Sequence, residues 1–237
     1  MTDAASYRRH TLAVRVMHWI NVLAFIILLM SGLQIFNAHP ALYWGQSSYS
    51  GRPPFFAIEG FPGWITIPGE QWLSMGRRWH LFFAWLLVLN GLAYLVYTIA
   101  SRHLARDLVP TRPDWRGIGR SIADHLRLRH PAGDAAARYN VLQKLAYLAV
   151  IFILLPLMAI TGWAMSPGLD SAIPHWVSLL GGRQSARTIH FICAWTLVAF
   201  VAVHVFEVVV TGFWNNLRSM ITGRYRVPAE RTDAHEA

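Results

Sequence analysis

The sequence predicts an all-α integral membrane protein, a bundle of four spanning helices. Three observations lead to this class. More than half of the 237 residues are apolar and only 14% are charged. Four apolar stretches are long enough to cross a hydrocarbon core about 30 Å thick, and the arginines are distributed unevenly among the segments that connect them. The predicted spans cover residues 14–36, 79–100, 141–165 and 188–212.

Each predicted span has its own features. The first is too long for a cleaved signal peptide and contains a histidine, so we expect it to be retained. The second begins with the aromatic run WHLFFAW. The third contains Pro156 and Gly162, irregularities that membrane helices tolerate. The fourth carries two histidines, His190 and His204.

The arginines predict the orientation in the membrane. Fifteen of them lie in the N-terminal segment, the second loop and the C-terminal segment, and five lie in the first and third loops. By the positive-inside rule, both termini and the second loop are predicted to be cytoplasmic in a bacterial inner membrane. The net charge of +9 is therefore a topology signal, and we expect no nucleic-acid partner.

The connecting segments differ in character. The first loop, about residues 37–77, and the third loop around Ile173–Trp176 are aromatic. They suit either an interfacial belt or a docked protein, and the length of the first loop favours docking. The second loop contains DWRGIGRSIADHLRL, which predicts an interfacial amphipathic helix with Asp114 as its N-cap. Residues 226–237 are polar and are expected to be disordered. The first-loop aromatics are Tyr43, Trp44, Phe55, Phe56, Trp64 and Trp72.

Four histidines, His18, His80, His190 and His204, fall within the predicted spans. His190 and His204 are fourteen residues apart, which is about 21 Å along a helix and within roughly 40° of one face. Depth pairs His80 with His190 near the outer side and His18 with His204 near the inner side. Placing an ionisable side chain in a membrane costs free energy, so such a residue usually has a function. The arrangement indicates bis-histidine ligands for the irons of two haems.

Other interpretations of these histidines rank lower. A lone intramembrane histidine usually serves interhelical hydrogen bonding, which explains four depth-paired residues poorly. A structural metal ion is disfavoured because no carboxylate or thiolate completes either site. His39 lies on the outer side and could replace an outer ligand, but Pro40 follows it outside any regular helix. The single cysteine, Cys193, excludes a disulfide within the chain, and the absence of a CxxCH motif excludes covalent c-type haem attachment.

Arginines flank the predicted ligands. Each lies within three residues of one of the histidines and could pair with a haem propionate, although snorkelling at the membrane boundary explains any one of them equally well. The candidates are Arg15, Arg77, Arg78 and Arg187. Glu207, one turn after His204, is a candidate proton relay to an inner quinone site, or a packed polar residue at the helix end.

Four sequence motifs resemble those of a known family. They are RVMHW, RRWHLFFAW and YNVLQK, and H-x13-H in the fourth span. The chain resembles the four-helix di-haem cytochrome b subunits that anchor formate dehydrogenases (the gamma subunit), nickel-iron hydrogenases and thiosulfate-reductase-like enzymes. The resemblance implies a di-haem transmembrane domain over residues 1–225. It implies haem b ligation by the four histidines and a quinone site at Asn140, Gln143 and Lys144.

The function implied is electron transfer between the quinone pool, ubiquinone or menaquinone, and a periplasmic oxidoreductase. A molybdopterin enzyme of the thiosulfate-reductase type is the partner class that the resemblance favours. Substrate chemistry would belong to that partner, since the chain has no cysteine cluster. A homo-oligomer is also compatible with the sequence. The alternative is a self-sufficient superoxide:quinone oxidoreductase, whose anion would be attracted by Arg77, Arg78, Arg183 and Arg187.

Overall fold

The computed structural model describes residues 6–48, 51–69, 72–127, 140–173 and 175–226. Four helical stretches in this part of the chain are long and apolar enough to cross a membrane, which confirms the all-α membrane bundle: Leu12–Asn37, Leu73–Ala100, Val141–Ala164 and Arg183–Val210. The helices are α1 (Leu12–Asn37), α2 (Leu73–Ala100), α3 (Arg112–Arg116), α4 (Ile118–Leu126), α5 (Val141–Ala149), α6 (Leu155–Ala164), α7 (Pro167–Ala172), α8 (Arg183–Val210) and α9 (Phe213–Thr222). Short strands are β1 (Ser6–Arg8), β2 (Ala41–Leu42), β3 (Phe56–Ala57) and β4 (Arg224–Arg226).

The third span combines α5 and α6 with a π-helical turn, Val150–Leu154, between them. Pro156 follows this turn at the start of α6. Proline has no N–H and its ring clashes with the carbonyl four residues earlier, and a π-turn is one of the local adjustments by which a membrane helix accommodates it. The predicted irregularity in this span is therefore a widened turn within a stretch that stays helical.

Contacts within the chain define two compact units. One, here called the terminal unit, contains Met1–Met17, Tyr94–Ala149 and Val201–Ala237. The other, here called the loop unit, contains His18–Ala93 and Val150–Phe200. The first and third loops belong to the loop unit.

The terminal unit joins the two ends of the chain. β1 pairs with β4 in antiparallel register, with Tyr7 opposite Tyr225. The Arg9 guanidinium lies 4.7 Å from the centre of the Tyr225 ring. An even number of spans requires both ends to be on one side of the membrane, as this pairing also does. Arg226, the first residue of the predicted tail, belongs to β4, and residues 227–237 lie outside the described residues.

The predicted amphipathic helix of the second loop forms as two short helices, α3 and α4, separated by Gly117. The N-cap is Thr111, so the prediction of Asp114 as the cap was wrong. Asp114 completes a capping box three residues later, where its carboxylate accepts the Thr111 backbone N–H at 2.7 Å. Pro113 explains the earlier start, because proline fits the first turn of a helix, where its missing N–H has no intrahelical partner.

The first loop of the loop unit folds back onto the start of α8. The Gly45 carbonyl accepts the backbone N–H groups of Gln184 and Ser185 at 3.0 and 3.2 Å, and so satisfies donors in the first turn of α8. The Thr188 hydroxyl donates to the Tyr43 carbonyl at 2.7 Å. This segment of the loop is therefore attached to α8 at Thr188, two residues before His190.

Candidate functional site

Two of the four predicted histidines meet inside the loop unit. His80 lies on α2 and His190 on α8, and the centres of their rings are 6.2 Å apart with an angle of 62° between the ring planes. The two histidines are 110 residues apart in the sequence, and the fold brings α2 and α8 together at this point. The two imidazoles that the sequence analysis pairs therefore lie close together, and their role as ligands of one haem stays a prediction.

Each imidazole is held by a hydroxyl from a different helix. Ser31 Oγ on α1 lies 3.1 Å from His80 Nδ1. Thr161 Oγ1 on α6 lies 2.9 Å from His190 Nδ1. Both contacts use Nδ1, which leaves Nε2 of each ring as the nitrogen available to a ligand or metal.

A glycine follows each hydroxyl and lies under the same ring. A Cβ built on Gly32 would be 3.4 Å from His80 Cε1, and one built on Gly162 would be 3.5 Å from His190 Cε1. The rings therefore pack directly against the helix backbone of α1 and α6. Ser31-Gly32 and Thr161-Gly162 perform the same role at the two halves of one site.

The separation of the two rings fits one metal centre between them. With about 2 Å for each metal–nitrogen bond and about 1.1 Å from each nitrogen to its ring centre, two imidazoles on opposite sides of an ion have centres about 6 Å apart. No group of three or more His, Cys, Asp or Glu that could hold a metal ion is found among the described residues. A haem needs only the two axial nitrogens from the protein, because its own ring supplies the other four. The residues present fit haem.

Helix α1 runs antiparallel to α2 through this region. Gln34 lies against Gly76, where an added Cβ would be 2.8 Å from Gln34 Cγ. One turn along, Ser31 contacts His80. Gln34 is 1% exposed, and both atoms of its amide have no hydrogen-bond partner in the described part of the chain. A buried amide of this kind calls for a polar partner, and it lies one helical turn from the imidazole site.

An aromatic cluster borders the site on the side of the first loop. Phe191, next to His190, contacts Phe36 of α1 and Phe56 of the loop, at centre distances of 4.8 and 5.8 Å. Phe61 and Trp195 extend the cluster, 6.2 Å apart. Aromatic side chains bury large apolar areas. Phe36 is buried, while Phe56 and Trp195 stay partly exposed, so the cluster gives the site an apolar border on this side of His190.

The other two predicted ligands are placed separately. His18 belongs to the loop unit and His204 to the terminal unit. His204 lies on α8, the same continuous helix as His190. The pairing of His18 with His204 stays a prediction.

The flanking arginines differ in their contacts. Arg77 and Arg78 are exposed. Arg187 donates to the backbone carbonyls of Ala41, at 2.8 Å, and of His39, so it anchors the first loop. Arg15 donates to the Ile221 carbonyl at 2.9 Å and so joins α1 to α9. Their predicted contacts with haem propionates stay predictions.

His39, ranked lower as a ligand, lies in the first loop. Its ring stacks on Tyr43 at a centre distance of 5.8 Å, and its carbonyl accepts from Arg187. Burial, followed by the positive charge of Arg187, lowers the pKa of His39 below its usual value. This histidine is therefore favoured in its neutral form as part of the folded loop.

The predicted quinone residues cluster at the start of α5 in the terminal unit. Asn140 and Gln143 form a reciprocal cap, in which Asn140 Oδ1 accepts the Gln143 N–H at 2.9 Å and Gln143 Oε1 accepts the Asn140 N–H at 3.2 Å. The buried Lys144 forms an ion pair with Asp114 at 2.8 Å. Glu207 lies on α8 in the same unit, with its backbone carbonyl accepting from the Thr211 hydroxyl.

Sequence reasoning missed Ser31, Thr161, Gln34 and Asp114 as parts of these clusters. The available signal was the repeat of a hydroxyl residue followed by glycine, SG in the first span and TG in the third. The glycines alone were uninformative, since small residues also serve ordinary helix packing.

The fold is that of a transmembrane helical protein, and its two close imidazoles are residues of the kind that a haem iron binds. Residues 9–223 match the family described as prokaryotic cytochrome b561, and the chain belongs to that family. It is therefore a b-type cytochrome of a bacterial membrane, of the electron-transport class, with haem b as its cofactor.

Named relatives agree with this family. The chain is 36% identical to a protein of Azospira oryzae whose name assigns it as a protein-methionine-sulfoxide reductase subunit, YedZ1, over 84% of this chain and 89% of that protein. It is 26% identical to a Ni/Fe-hydrogenase B-type cytochrome subunit, so named, of Cupriavidus necator, over 89% of this chain and 83% of the relative. A protein of the same name from Rhodobacter capsulatus is 23% identical over 87% and 78% of the two chains.

Proposed function

We propose that the chain transfers electrons between the quinone pool and a periplasmic oxidoreductase through two bis-histidine b haems. His80 and His190 hold the outer haem, and His18 and His204 hold the inner one. The observation that carries the proposal is the facing pair His80–His190, with both Nδ1 atoms occupied by hydroxyls. Haem b, when bound, supplies a reversible one-electron change between ferric and ferrous iron.

The residues of the chain account for the rest of the chemistry. A haem held by both His80 and His190 would supply electron transfer and would not bind oxygen or a substrate, because both protein-side positions would be taken by imidazole. The aromatic cluster around Phe191 gives the site an apolar border. Arg77 and Arg78 remain candidates for pairing with the propionates, and Gln34 supplies a buried amide donor one turn away.

A quinone site at the start of α5 is part of the same proposal. The oxygen atoms of Asn140 and Gln143 cap the helix, while their amide nitrogens are donors of the kind that a quinone carbonyl accepts. Lys144 with Asp114, and Glu207 near His204 on α8, offer titratable groups for proton exchange with the cytoplasm. This site is cytoplasmic in the orientation that the arginine distribution predicts.

The partner is proposed to be a redox enzyme that docks on the outer loops. The family resemblance favours a molybdopterin enzyme of the thiosulfate-reductase type. The name of the 36% identical relative favours a reductase of protein-bound methionine sulfoxide. Oxidation of one quinol releases two electrons and two protons. Reduction of one sulfoxide to a thioether and water consumes two of each, so electrons would flow outward to such a partner.

The test is a reduced-minus-oxidised absorbance spectrum with haem stoichiometry for the wild type and single His→Ala variants. We expect two b haems per chain in the wild type. His80→Ala or His190→Ala removes the outer haem, and His18→Ala or His204→Ala removes the inner one. Retention of both haems by His204→Ala would show that the inner pairing is wrong. Quinone reduction by superoxide with the isolated chain would favour the self-sufficient enzyme instead.

A further inference from the structure

The hydroxyl contacts of the imidazole site have defined hydrogen-bond directions. Ser31 Oγ lies 2.6 Å from the Ile27 carbonyl, and Thr161 Oγ1 lies 2.6 Å from the Leu157 carbonyl, each four residues earlier on its own helix. A carbonyl only accepts, and a hydroxyl has one proton. Each hydroxyl therefore donates its proton to its own helix and accepts from the histidine. Each ring also hydrogen-bonds a backbone carbonyl of that helix, the Leu28 carbonyl for His80 and the Met158 carbonyl for His190.

The tautomer of both histidines follows from these directions. Since Ser31 Oγ accepts, the proton of the neutral His80 ring is on Nδ1, and Nε2 carries the lone pair. The same holds for His190 through Thr161. Nε2 is thus presented with its lone pair before any ligand binds, which is the form that a metal requires of imidazole.

We propose that Ser31 and Thr161 are positioning residues that fix the tautomer and orientation of the two outer axial imidazoles and lower the reduction potential of that haem. The inference rests on the proposed function, in which His80 and His190 are the axial ligands. It concerns two residues on helices that supply no ligand to this site.

The effect on the potential has a direct physical cause. A hydroxyl oxygen that accepts the Nδ1–H bond draws the proton away from the ring and increases electron density at Nε2. A more electron-rich axial ligand stabilises ferric over ferrous iron, and second-shell hydrogen bonding is one of the means by which a protein sets haem potentials. Removal of the hydroxyl weakens that donation and raises the potential.

The glycine beside each hydroxyl supports the same role. Gly32 and Gly162 have no side chain, so each ring packs directly on the helix backbone. A Cβ added at either position would lie 3.4 or 3.5 Å from the ring of His80 or His190. The hydroxyl and the glycine together hold the ring from two directions. The same pair of a hydroxyl residue and a glycine occurs on α1 for His80 and on α6 for His190. This repetition favours a shared role over chance packing.

The test is a spectroelectrochemical titration of the purified chain in detergent with both haems bound. We expect Ser31→Ala and Thr161→Ala each to raise the midpoint potential of the outer haem and to leave that of the inner haem unchanged. A tenfold change in the ratio of reduced to oxidised haem corresponds to about 59 mV for one electron. Ser31→Thr and Thr161→Ser keep the hydroxyl and should retain the wild-type potential.

The matched control is Thr196→Ala. Thr196 lies on α8, and its hydroxyl donates to the Ile192 carbonyl four residues earlier at 2.9 Å, in the same manner as Ser31 and Thr161. The variant removes a back-bonded hydroxyl away from the two imidazole contacts, so both potentials should stay as in the wild type. An equal rise in Thr196→Ala would overturn the proposal.

Failure of this inference is distinguishable from failure of the proposed function. If His80→Ala and His190→Ala lose a haem while Ser31→Ala and Thr161→Ala keep wild-type potentials, only the inference is overturned. If both histidine variants keep two haems, the ligand assignment fails and the inference fails with it. Haem loss in Ser31→Ala supports the proposal if Ser31→Thr restores the haem, and overturns it if Ser31→Thr does not.

Discussion

At the scale of single residues, the surroundings of His80 and His190 differ from those of His39. His80 and His190 each have a hydroxyl on Nδ1 and face one another, whereas His39 is stacked on Tyr43 within a folded loop. All three residues were visible as outer histidines in the sequence. Their proposed roles differ because the rings of His80 and His190 lie close together on two helices, whereas His39 is part of the loop that Arg187 anchors.

His39 makes the first loop sensitive to pH. Its pKa in the folded loop is below the usual 6.5 because of burial and the charge of Arg187. The opened loop therefore binds a proton more readily, and opening becomes easier as pH falls below about 6.5. Hydrogen exchange of residues 39–46, corrected for intrinsic rates, should be faster at pH 5.5 than at pH 8. His39→Gln should reduce this difference; an unchanged difference in the variant would contradict the assignment.

Asp114 and Lys144 form a partly buried ion pair that joins α3 to α5. The hydrogen bond from Lys144, followed by the backbone N–H of Thr111, lowers the pKa of Asp114 to about 2. Asp114→Asn leaves the charge of Lys144 buried, and we expect a loss of about 1–2 kcal/mol in stability. Lys144→Met removes the buried charge and should cost less. Thermal unfolding in detergent measures both.

The pH dependence of this pair has a defined sign. A lowered carboxylate pKa contributes stability above the unfolded value of 3.8, and the contribution is lost as pH falls toward 2. The difference between wild type and Asp114→Asn should therefore be constant from pH 5 to 8. The exposed pair His103–Asp107, 2.6 Å apart within one helical turn, is the control, since Asp107→Asn should have little effect. A larger effect of Asp107→Asn would contradict the role given to burial.

At the scale of elements, the start of α8 organises the first loop. Its first turn binds the Gly45 carbonyl, and Arg187 and Thr188 bind three further carbonyls of the loop. The sequence predicted an aromatic outer loop but not its attachment. Tyr43, one of its aromatic residues, is 8% exposed, whereas Trp64 is 81% exposed. Only part of the loop is thus available to another protein.

Gly182 is the residue on which this attachment depends. Its φ is +102°, and a Cβ built there would lie 2.6 Å from the Gly45 carbonyl oxygen, a backbone atom. Gly182→Ala should ease opening of the loop by about 1–3 kcal/mol. Cleavage by chymotrypsin at buried Tyr43 should then increase about tenfold or more, with exposed Phe55 as the internal reference.

The control for this variant is Gly168→Ala. A Cβ at Gly168 meets nothing within 4 Å, and its φ is not in the left-handed range. We expect cleavage at Tyr43 to remain as in the wild type. Equal cleavage in Gly182→Ala and the wild type would show that the loop does not depend on this close approach.

At the scale of the whole molecule, two apolar side chains exposed on the loops predicted to be outer are candidates for the docking surface of the proposed partner. Trp64 is 81% exposed and Leu179 is 87% exposed, one on each of the two loops predicted to be outer. Tryptophan is enriched among the residues that carry most of the binding energy in interfaces. These positions support the proposed docking of a redox enzyme near the outer haem.

We expect the double variant Trp64→Ala/Leu179→Ser to bind its partner at least tenfold more weakly, with both haems retained. Co-purification with the partner subunit, quantified against haem content, measures the change. Trp214 of the terminal unit is 78% exposed and provides the matched control, since Trp214→Ala should leave partner binding unaltered. Weaker binding in Trp214→Ala than in the double variant would place the interface at the other unit.

The sequence alone determined the fold class, the number of spans and the positions of the candidate ligands. Lipid requires long apolar helices with internally satisfied backbones, so composition and length are sufficient to recognise them. The same reasoning makes intramembrane histidines conspicuous. The sequence-based prediction of Asp114 as the N-cap was wrong. The helix begins earlier, with Thr111 as its cap, because Pro113 fits the first turn.

Only the tertiary structure decided which side chains contact His80 and His190. Ser31 and His80 are 49 residues apart, and Thr161 and His190 are 29 apart. Which hydroxyl meets which imidazole depends on the rotation and register of packed helices, and hydrophobic patterning fixes neither to within one residue. The attachment of the first loop to α8 is likewise a matter of backbone carbonyls, which every residue possesses and no sequence pattern marks.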